Sequence, residues 1–199
     1  MVRQLQEQGI RDARVIAALR KIPRDRFVEP GLALTCHDAG SLPIGREQTI
    51  SQPYTVAYMS EQLLVSSEHK VLEVGTGSGY QTAVLAELAG EVFTIERHAE
   101  LQSQARRVLT GLRYPNVHYR VGDGAAGWPE PMQFDRILVT AAGAEIPLRL
   151  IEQLAENGRL IMPIEEDGRQ HLALAVKISG RIRRRYLAGC GFVPLVSNL

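Results

Sequence analysis

Glu73-Val74-Gly75-Thr76-Gly77-Ser78-Gly79-Tyr80 joins a short apolar run to a longer one. Glycines between a strand and a helix let the backbone turn sharply and approach a ligand closely. We therefore predict a strand over 71–74, a tight turn over 75–79 and a helix over 80–89. Ligands of open parallel sheets bind at the carboxyl ends of the strands, so this turn also marks the predicted binding crevice.

Strand and helix patterns alternate on the C-terminal side of the turn. Predicted strands cover 92–95, 117–121, 134–140 and 159–163, and predicted helices cover 99–112 and about 147–155. This alternation predicts a parallel sheet with helices on both faces. Two further strands, 172–178 and 182–187, flank a tight turn and must therefore be antiparallel. We predict an α/β fold with a doubly wound, mostly parallel sheet and an antiparallel C-terminal hairpin.

The segment before the glycine turn has a different pattern. Asp12 is a plausible N-cap for a helix that carries apolar residues at helical spacing and stops at Pro23. Residues 30–53 are rich in Gly, Pro and Ser, which predicts a long ordered loop, and such loops are often functional. A helix over 53–64 follows. We interpret 1–199 as one domain, in which 1–66 holds the N-terminal helices and the loop and 67–199 forms the core.

Composition excludes several classes of protein. The net charge of the 199 residues is +1, which gives no global electrostatic case for binding nucleic acid. The apolar runs are shorter than the roughly 20 residues of a membrane helix, and the polar N-terminus lacks a signal-peptide core. The two cysteines lie far apart and the histidines are scattered, so neither a disulfide framework nor a metal site is expected. We expect a cytoplasmic monomer.

Acidic residues around the turn indicate the ligand. Glu96 ends the next predicted strand, 21 residues after Gly75, where a carboxylate can accept hydrogen bonds from both ribose hydroxyls of an adenosine. The spacing G-x-G-x-G departs from the dinucleotide pattern G-x-G-x-x-G. Glu73 would favour the cationic S-adenosylmethionine and disfavour a pyrophosphate. The pattern thus favours the methyl donor, with a dinucleotide or a turn without ligand as alternatives.

A second turn, Gly122-Asp123-Gly124, follows the third predicted strand. Asp123 can accept a hydrogen bond from the adenine amino group. The alternative is an ordinary Asp-Gly turn, but a position after the third strand of a nucleotide-type fold favours a role in binding.

Several stretches resemble the protein-L-isoaspartate O-methyltransferase family. Leu42-Pro43-Ile44-Gly45 followed by Thr49-Ile50-Ser51-Gln52-Pro53-Tyr54 is similar to its signature loop. The match spans nearly the whole chain, since 22–28, 71–80, 134–142 and 192–195 resemble further family motifs. The resemblance implies a Rossmann-like methyltransferase fold and S-adenosyl-L-methionine as donor, with S-adenosyl-L-homocysteine as product and no metal. It also implies transfer of the methyl group to the α-carboxylate of L-isoaspartyl residues in damaged proteins.

The resemblance also implies a set of site residues. Ser51 matches the catalytic serine, placed between donor and substrate carboxylate. The implied donor-binding residues are Thr49, Ile50, Ser51, Glu73, Gly75, Gly77, Glu96, Asp123, Gly124 and Gln170. The implied substrate-binding residues are Ser51, Ala141, Ala142, Val193 and Pro194. This chain departs from the family in Gly143, where a proline is frequent, and in His37, where an aromatic residue is common. His37 is more simply interpreted as a packing residue than as a base.

Other functions share some of these motifs. A methyltransferase for RNA or a small molecule would also need the donor motifs, but it would not require the signature loop. Four arginines at 181 and 183–185 could serve RNA, although their alternation with Ile182 and Tyr186 is typical of a half-buried strand. A donor-binding scaffold without activity is a third alternative. It predicts donor binding without methyl transfer.

Overall fold

The computed structural model describes residues 1–38 and 40–197. Two helices, α1 (Val2–Glu7) and α2 (Ala13–Lys21), open the chain and are followed by 3-10 helices at Arg24–Phe27 and Pro30–Thr35. The predicted cap of α2 is confirmed, because the Asp12 carboxylate accepts a hydrogen bond of 2.8 Å from the Arg14 N–H. Helix α1 was not predicted, since six residues with one buried side chain carry little periodicity.

The predicted long loop contains a β-hairpin. Strands β1 (Leu42–Gly45) and β2 (Gln48–Ile50) pair antiparallel as a separate two-stranded sheet. Arg46 and Glu47 form its turn, and both have positive φ angles, of 53° and 58°. Helix α3 (Pro53–Leu63) follows directly and begins with a proline, whose fixed φ suits the first helical turn.

The main sheet has seven strands in the order β5-β4-β3-β6-β7-β8-β9. Its strands are β3 (Lys70–Val74), β4 (Glu91–Glu96), β5 (Val117–Val121), β6 (Phe134–Val139), β7 (Leu154–Glu166), β8 (Arg169–Ile178) and β9 (Arg181–Gly189). The helices between them are α4 (Tyr80–Leu88), α5 (Ala99–Gly111) and α6 (Leu148–Glu152). Strands β3 to β7 pair in parallel, whereas β7–β8 and β8–β9 pair antiparallel. The predicted sheet and its antiparallel end are confirmed.

The core is apolar on both faces of the sheet. The side chains of β3 alternate between two buried clusters, with Val71 in one and Leu72 and Val74 in the other. A strand that is buried on both faces is typical of parallel sheets covered by helices. Within 1–38 and 40–197, no helix is long and apolar enough to span a bilayer.

Two consequences of this topology position the site. The carboxyl ends of β3, β4 and β6 meet at one edge, because these strands are neighbours and run in parallel. Strand β9 also ends toward that edge, since two antiparallel steps separate it from β7. The residues after Gly189 therefore return to the ends of the parallel strands.

Candidate active site

A cavity of about 620 Å³ opens at the carboxyl edge of the parallel strands. Its walls come from the hairpin and the start of α3, the glycine turn, the end of β4, the end of β6 and the C-terminal segment. A volume of this size suits a small-molecule ligand. The cavity therefore joins the glycine turn and the signature loop, which are distant in sequence.

The floor of the cavity is the glycine turn. Gly75 has a φ of +94°, and its N–H donates to the Ile95 carbonyl at 2.8 Å. The Thr140 hydroxyl, at the end of β6, donates toward the carbonyls of Val74 at 3.1 Å and Gly75 at 2.9 Å. A Cβ on Gly75 would lie 2.2 Å from that hydroxyl oxygen. Both the backbone conformation and the close packing against Thr140 therefore require glycine at position 75.

Glu96 lines the cavity at the end of β4, where the sequence predicted it. One carboxylate oxygen accepts from the Gly77 N–H at 2.9 Å and the other from the His98 N–H at 3.0 Å. A carboxylate has about four acceptor positions, so two remain for a ligand. Backbone amides hold the carboxylate in one orientation, which suits the paired hydroxyls of a ribose.

Glu73 lies beneath the cavity and does not line it. Its side chain is fully buried, and one carboxyl oxygen accepts from the hydroxyls of Thr82 at 2.5 Å and Thr94 at 2.6 Å. Burial raises the pKa of this carboxyl to about 8. Glu73 was predicted to favour the cation as a nearby carboxylate, and the structure places it behind the turn and outside the cavity wall. The residue supports the turn from below, since Thr94 also contacts Thr76 at 2.6 Å.

A pH dependence of stability follows from this burial. The pKa of Glu73 is about 8 in the folded protein against an ordinary 4.5, so the folded state keeps a proton that the unfolded state loses between these values. We expect the free energy of unfolding of the wild type to fall between pH 4.5 and 8 relative to Glu73→Gln, by on the order of a few kcal/mol. Urea unfolding at the two ends of this range measures it. The exposed Glu68→Gln is the control, and an equal pH dependence in all three proteins would contradict the prediction.

The second predicted turn is divided between two roles. Gly124 lines the cavity, whereas Asp123 stands just outside the lining. The Asp123 carboxylate accepts from the Ala125 N–H and from the Ser197 hydroxyl, both at 2.9 Å. It therefore caps the short 3-10 helix Gly124–Ala126 and holds the C-terminal segment near the end of β5.

The hairpin brings Thr49, Ile50 and Ser51 into the cavity wall, as predicted. Ser51 is half-buried at the end of β2, and its carbonyl accepts from the Arg24 guanidinium at 2.7 Å. The turn residue Arg46 forms an ion pair with Glu100 at the start of α5. The hairpin is therefore held on one side by the N-terminal segment and on the other by the core.

The C-terminal segment closes the opposite side. Val193 and Pro194 line the cavity together with Ala141, as predicted. Ala142 is buried outside the lining and pairs with this segment, since its N–H donates to the Val193 carbonyl at 2.8 Å and its carbonyl accepts from the Leu195 N–H at 2.7 Å.

Gln170, a predicted donor-binding residue, also lies outside the lining. Its amide oxygen accepts from the Phe192 N–H at 2.7 Å, and its amide nitrogen donates to the Phe192 carbonyl at 3.1 Å. Gln170 thus anchors the C-terminal segment to β8. Both the oxygen and the nitrogen of the amide form hydrogen bonds with the Phe192 backbone, so the side chain stabilises the position of this segment.

Four residues in or behind the wall were not predicted to belong to the site. Arg97 and His98 follow Glu96 in the lining, and their position after a strand end could have identified them. Thr140 was predicted only as part of a strand, and its role against Gly75 depends on tertiary pairing. Arg24 lies in the motif over 22–28, but the local sequence does not predict that its side chain is buried. Within the described ranges, groups of three or more His, Cys, Asp or Glu arranged to hold a metal ion are absent.

Comparison with known proteins places this geometry in a family. The family model described as Protein-L-isoaspartate(D-aspartate) O-methyltransferase matches residues 1–199. The Protein-L-isoaspartate O-methyltransferase of Vibrio cholerae is 49% identical over 198 residues, which cover 100% of this chain and 95% of that protein. The protein of the same name from Alkalilimnicola ehrlichii is 49% identical over 200 residues, with coverages of 100% and 90%.

A solved structure supports the same grouping. It belongs to a Plasmodium falciparum protein assigned as a protein-L-isoaspartate O-methyltransferase and was determined in complex with S-adenosyl-L-homocysteine. The TM-score is 0.88 and the sequence identity 27%, and the match covers 99% of this chain and 97% of that chain. The likeness therefore extends over the whole fold, including the hairpin and the C-terminal segment.

Proposed function

We infer from membership of the chain in the protein-L-isoaspartate(D-aspartate) O-methyltransferase family that it transfers a methyl group from S-adenosyl-L-methionine to the free α-carboxylate of L-isoaspartyl residues in proteins and peptides. One observation locates this activity in the structure. A single cavity is lined by Glu96, the glycine turn and Ser51. A donor and an acceptor can therefore meet at the hairpin.

The residues present fit the donor. Glu96 keeps free acceptor positions for the ribose, and the glycine turn leaves a backbone surface that an added Cβ on Gly75 would disrupt. We propose that Thr49, Ile50, Ser51, Gly75, Gly77, Glu96 and Gly124 contact it. Glu73, Asp123 and Gln170 would act indirectly, through the turn, the short helix and the C-terminal segment that they hold.

The main task of the protein in this reaction is to orient the donor and the acceptor. A carboxylate has an ordinary pKa near 4 and is already ionised at neutral pH, so a general base is not needed. When bound, the donor supplies a methyl group on a positively charged sulfur, which the substrate carboxylate accepts. Positioning of reacting groups and exclusion of water can contribute roughly 7–11 kcal/mol to lowering a barrier. The cavity walls of hairpin and C-terminal segment suit this task.

Ser51 has the role of aiming the acceptor. Opposite charges disappear in the reaction, so a strongly polar site would stabilise the reactants more than the transition state. A neutral hydroxyl is the better donor, because it orients one carboxylate oxygen with less stabilisation of the charge. We assign the Ser51 hydroxyl and neighbouring backbone N–H groups to this task.

Selectivity would come from the shape of the acceptor side. An isoaspartyl residue routes the main chain through its side-chain carbonyl and leaves the α-carboxylate free, whereas aspartate carries its carboxylate on a different stem. Ala141, Val193 and Pro194 leave room for an extended peptide backbone at this point. The methyl ester formed would cyclise to a succinimide, and hydrolysis of that ring returns part of the residue to aspartate, which initiates repair.

We propose that 1–66 supplies the acceptor loop and 67–199 the donor core of one domain. We also propose a cytoplasmic monomer that needs neither nucleic acid nor a membrane for activity.

One assay tests the function. The protein is incubated with methyl-labelled S-adenosylmethionine and two peptides that differ only in an isoaspartyl or aspartyl linkage. We expect base-labile label in the isoaspartyl peptide alone. Label in neither peptide but in RNA, or donor binding without transfer to any acceptor, would contradict the proposal.

A further inference from the structure

A buried arginine stands directly behind the serine. The Arg24 side chain has no exposed surface, and it is the bulkiest of the fully buried side chains in the described chain. Its Nε donates to the Cys36 carbonyl at 2.6 Å, and one terminal nitrogen, Nη2, donates to the Ser51 carbonyl at 2.7 Å. Arg24 thus ties both ends of the loop that precedes α3.

The same guanidinium reaches the donor side of the cavity. Its carbon lies 4.4 Å from the centre of the Tyr80 ring, the first residue of α4 after the glycine turn. Ser51 and Tyr80 line the cavity, whereas Arg24 does not. The positive charge is therefore separated from a bound ligand by one layer of side chain and backbone.

Within the described part of the chain, the contacts of this buried charge do not include a carboxylate. Its contacts are the carbonyls of Cys36 and Ser51 and the side chain of Tyr80, and each of these groups is neutral. Burial lowers the pKa of the guanidinium, and the groups that oppose this effect are Tyr80 and Cys36 and not a carboxylate. Arginine nevertheless stays charged in proteins, and an unpaired buried charge costs several kcal/mol. An anion bound at the adjacent cavity would offset this cost.

We propose that Arg24 is a positioning residue that supplies the fixed positive charge drawing the substrate α-carboxylate to Ser51, while it clamps the Ser51 carbonyl. This inference rests on the proposed function, since it takes the anion to be the isoaspartyl carboxylate. The charge acts across the intervening layer and favours binding of the carboxylate, whereas the neutral Ser51 hydroxyl makes the direct contact. The clamp fixes the backbone from which the serine hydroxyl is presented.

A comparison of ligand charge with enzyme charge tests the proposal. Dissociation constants are measured by calorimetry, on enzyme saturated with S-adenosylhomocysteine, for an isoaspartyl peptide and for the same peptide with its α-carboxylate replaced by a carboxamide. We expect the wild type to prefer the carboxylate, and Arg24→Gln to reduce that preference about tenfold. Arg24→Lys keeps the charge and should retain most of the preference. Arg26→Met removes an exposed arginine of the same 3-10 helix and is the matched control.

The outcomes separate this inference from the proposed function. A wild type that binds neither peptide would contradict the proposed function. A wild type with a clear preference that Arg24→Gln keeps in full would overturn the role of Arg24. A purely structural role would weaken both peptides equally and leave the preference unchanged.

The salt dependence of binding to the wild type is a second test, which remains available if Arg24→Gln does not fold. The cavity also contains the exposed Arg46 and Arg97, whose effects salt would screen. We expect the preference of the wild type for the carboxylate to change less than about twofold between about 0.05 M and about 0.5 M NaCl, because buried charges are screened weakly. A preference that disappears at high salt would assign the attraction to the exposed arginines and overturn the proposal.

Discussion

Replacing Ser51 by alanine is expected to lower kcat for methyl transfer by about 100-fold, because misplacement of a reacting group by about 1 Å can have an effect of this size. Ser51 lines the cavity at the end of the hairpin, and its backbone is held by Arg24 through the carbonyl. The backbone would therefore stay in place in the variant, and only the hydroxyl would be lost. Affinity for S-adenosylhomocysteine should change less than about threefold, because removing one hydroxyl group alters few donor contacts.

Ser51→Thr is the matched control for this prediction. It keeps the hydroxyl and should retain more activity than alanine. Steady-state kinetics with an isoaspartyl peptide give kcat, and calorimetry gives the donor affinity. A loss of donor affinity as large as the loss of kcat would show that Ser51 mainly holds the donor. Equal activity of the alanine variant and the wild type would remove the serine from the mechanism.

Replacing Gly75 by alanine is expected to lower donor affinity by about 100-fold, through two costs that act together. Gly75 has a φ of +94°, and a side chain in this region costs roughly 1–2 kcal/mol. The new Cβ would also meet the Thr140 hydroxyl at 2.2 Å, and overpacking of this kind costs about 1–3 kcal/mol. The hydroxyl cannot move freely because it donates toward two carbonyls of the turn. The turn that receives the donor must therefore shift.

Two variants separate these costs. Gly168→Ala adds a side chain at a φ of +71° in open space, so it carries the conformational cost alone and should leave donor affinity unchanged. Adding Thr140→Ala to Gly75→Ala removes the atom that clashes, and we expect it to restore part of the affinity. Calorimetry with S-adenosylhomocysteine measures all three proteins. Wild-type affinity in Gly75→Ala would contradict the close packing of turn and strand.

The main sheet could be predicted from local patterns because its strands are apolar and short. The strand over 71–74 is observed as Lys70–Val74, and that over 117–121 has the predicted bounds. Strand β7 was predicted over 159–163 but extends from Leu154 to Glu166. Its outer residues include the polar Glu156, Asn157, Glu165 and Glu166, which local periodicity does not assign to a strand. Pairing with the neighbouring strands extends β7, for example through Glu166 with Arg169.

The hairpin was missed because its turn lacks the usual signal. Two-residue hairpin turns with positive φ favour Asn and Gly, whereas this one uses Arg46 and Glu47. Non-glycine residues in this conformation are held by their surroundings, and here the ion pair with Glu100 on α5 contributes. That contact joins residues 54 positions apart and could not be read from local sequence.

The motifs predicted which residues lie at or near the site, but they did not predict what each residue contacts there. Glu96 and Ser51 stand in the wall because strand ends and a loop adjoining α3 converge there. Glu73 and Gln170 matched the pattern as well as those residues, yet one is buried beneath the turn and the other holds Phe192. Which side of the backbone a matched residue faces depends on packing partners. The burial of Arg24 also depends on tertiary packing, so it could not be predicted from the local sequence.

A crystal structure with S-adenosylhomocysteine and an isoaspartyl peptide tests the arrangement of donor, acceptor and serine most directly. We predict that the Ser51 hydroxyl lies within about 2.6–3.2 Å of the α-carboxylate. The nearest carboxylate oxygen should point at the product sulfur along the direction that the transferred methyl group occupied. A peptide carboxylate bound elsewhere, or a Ser51 side chain remote from the position of that methyl group, would contradict the account.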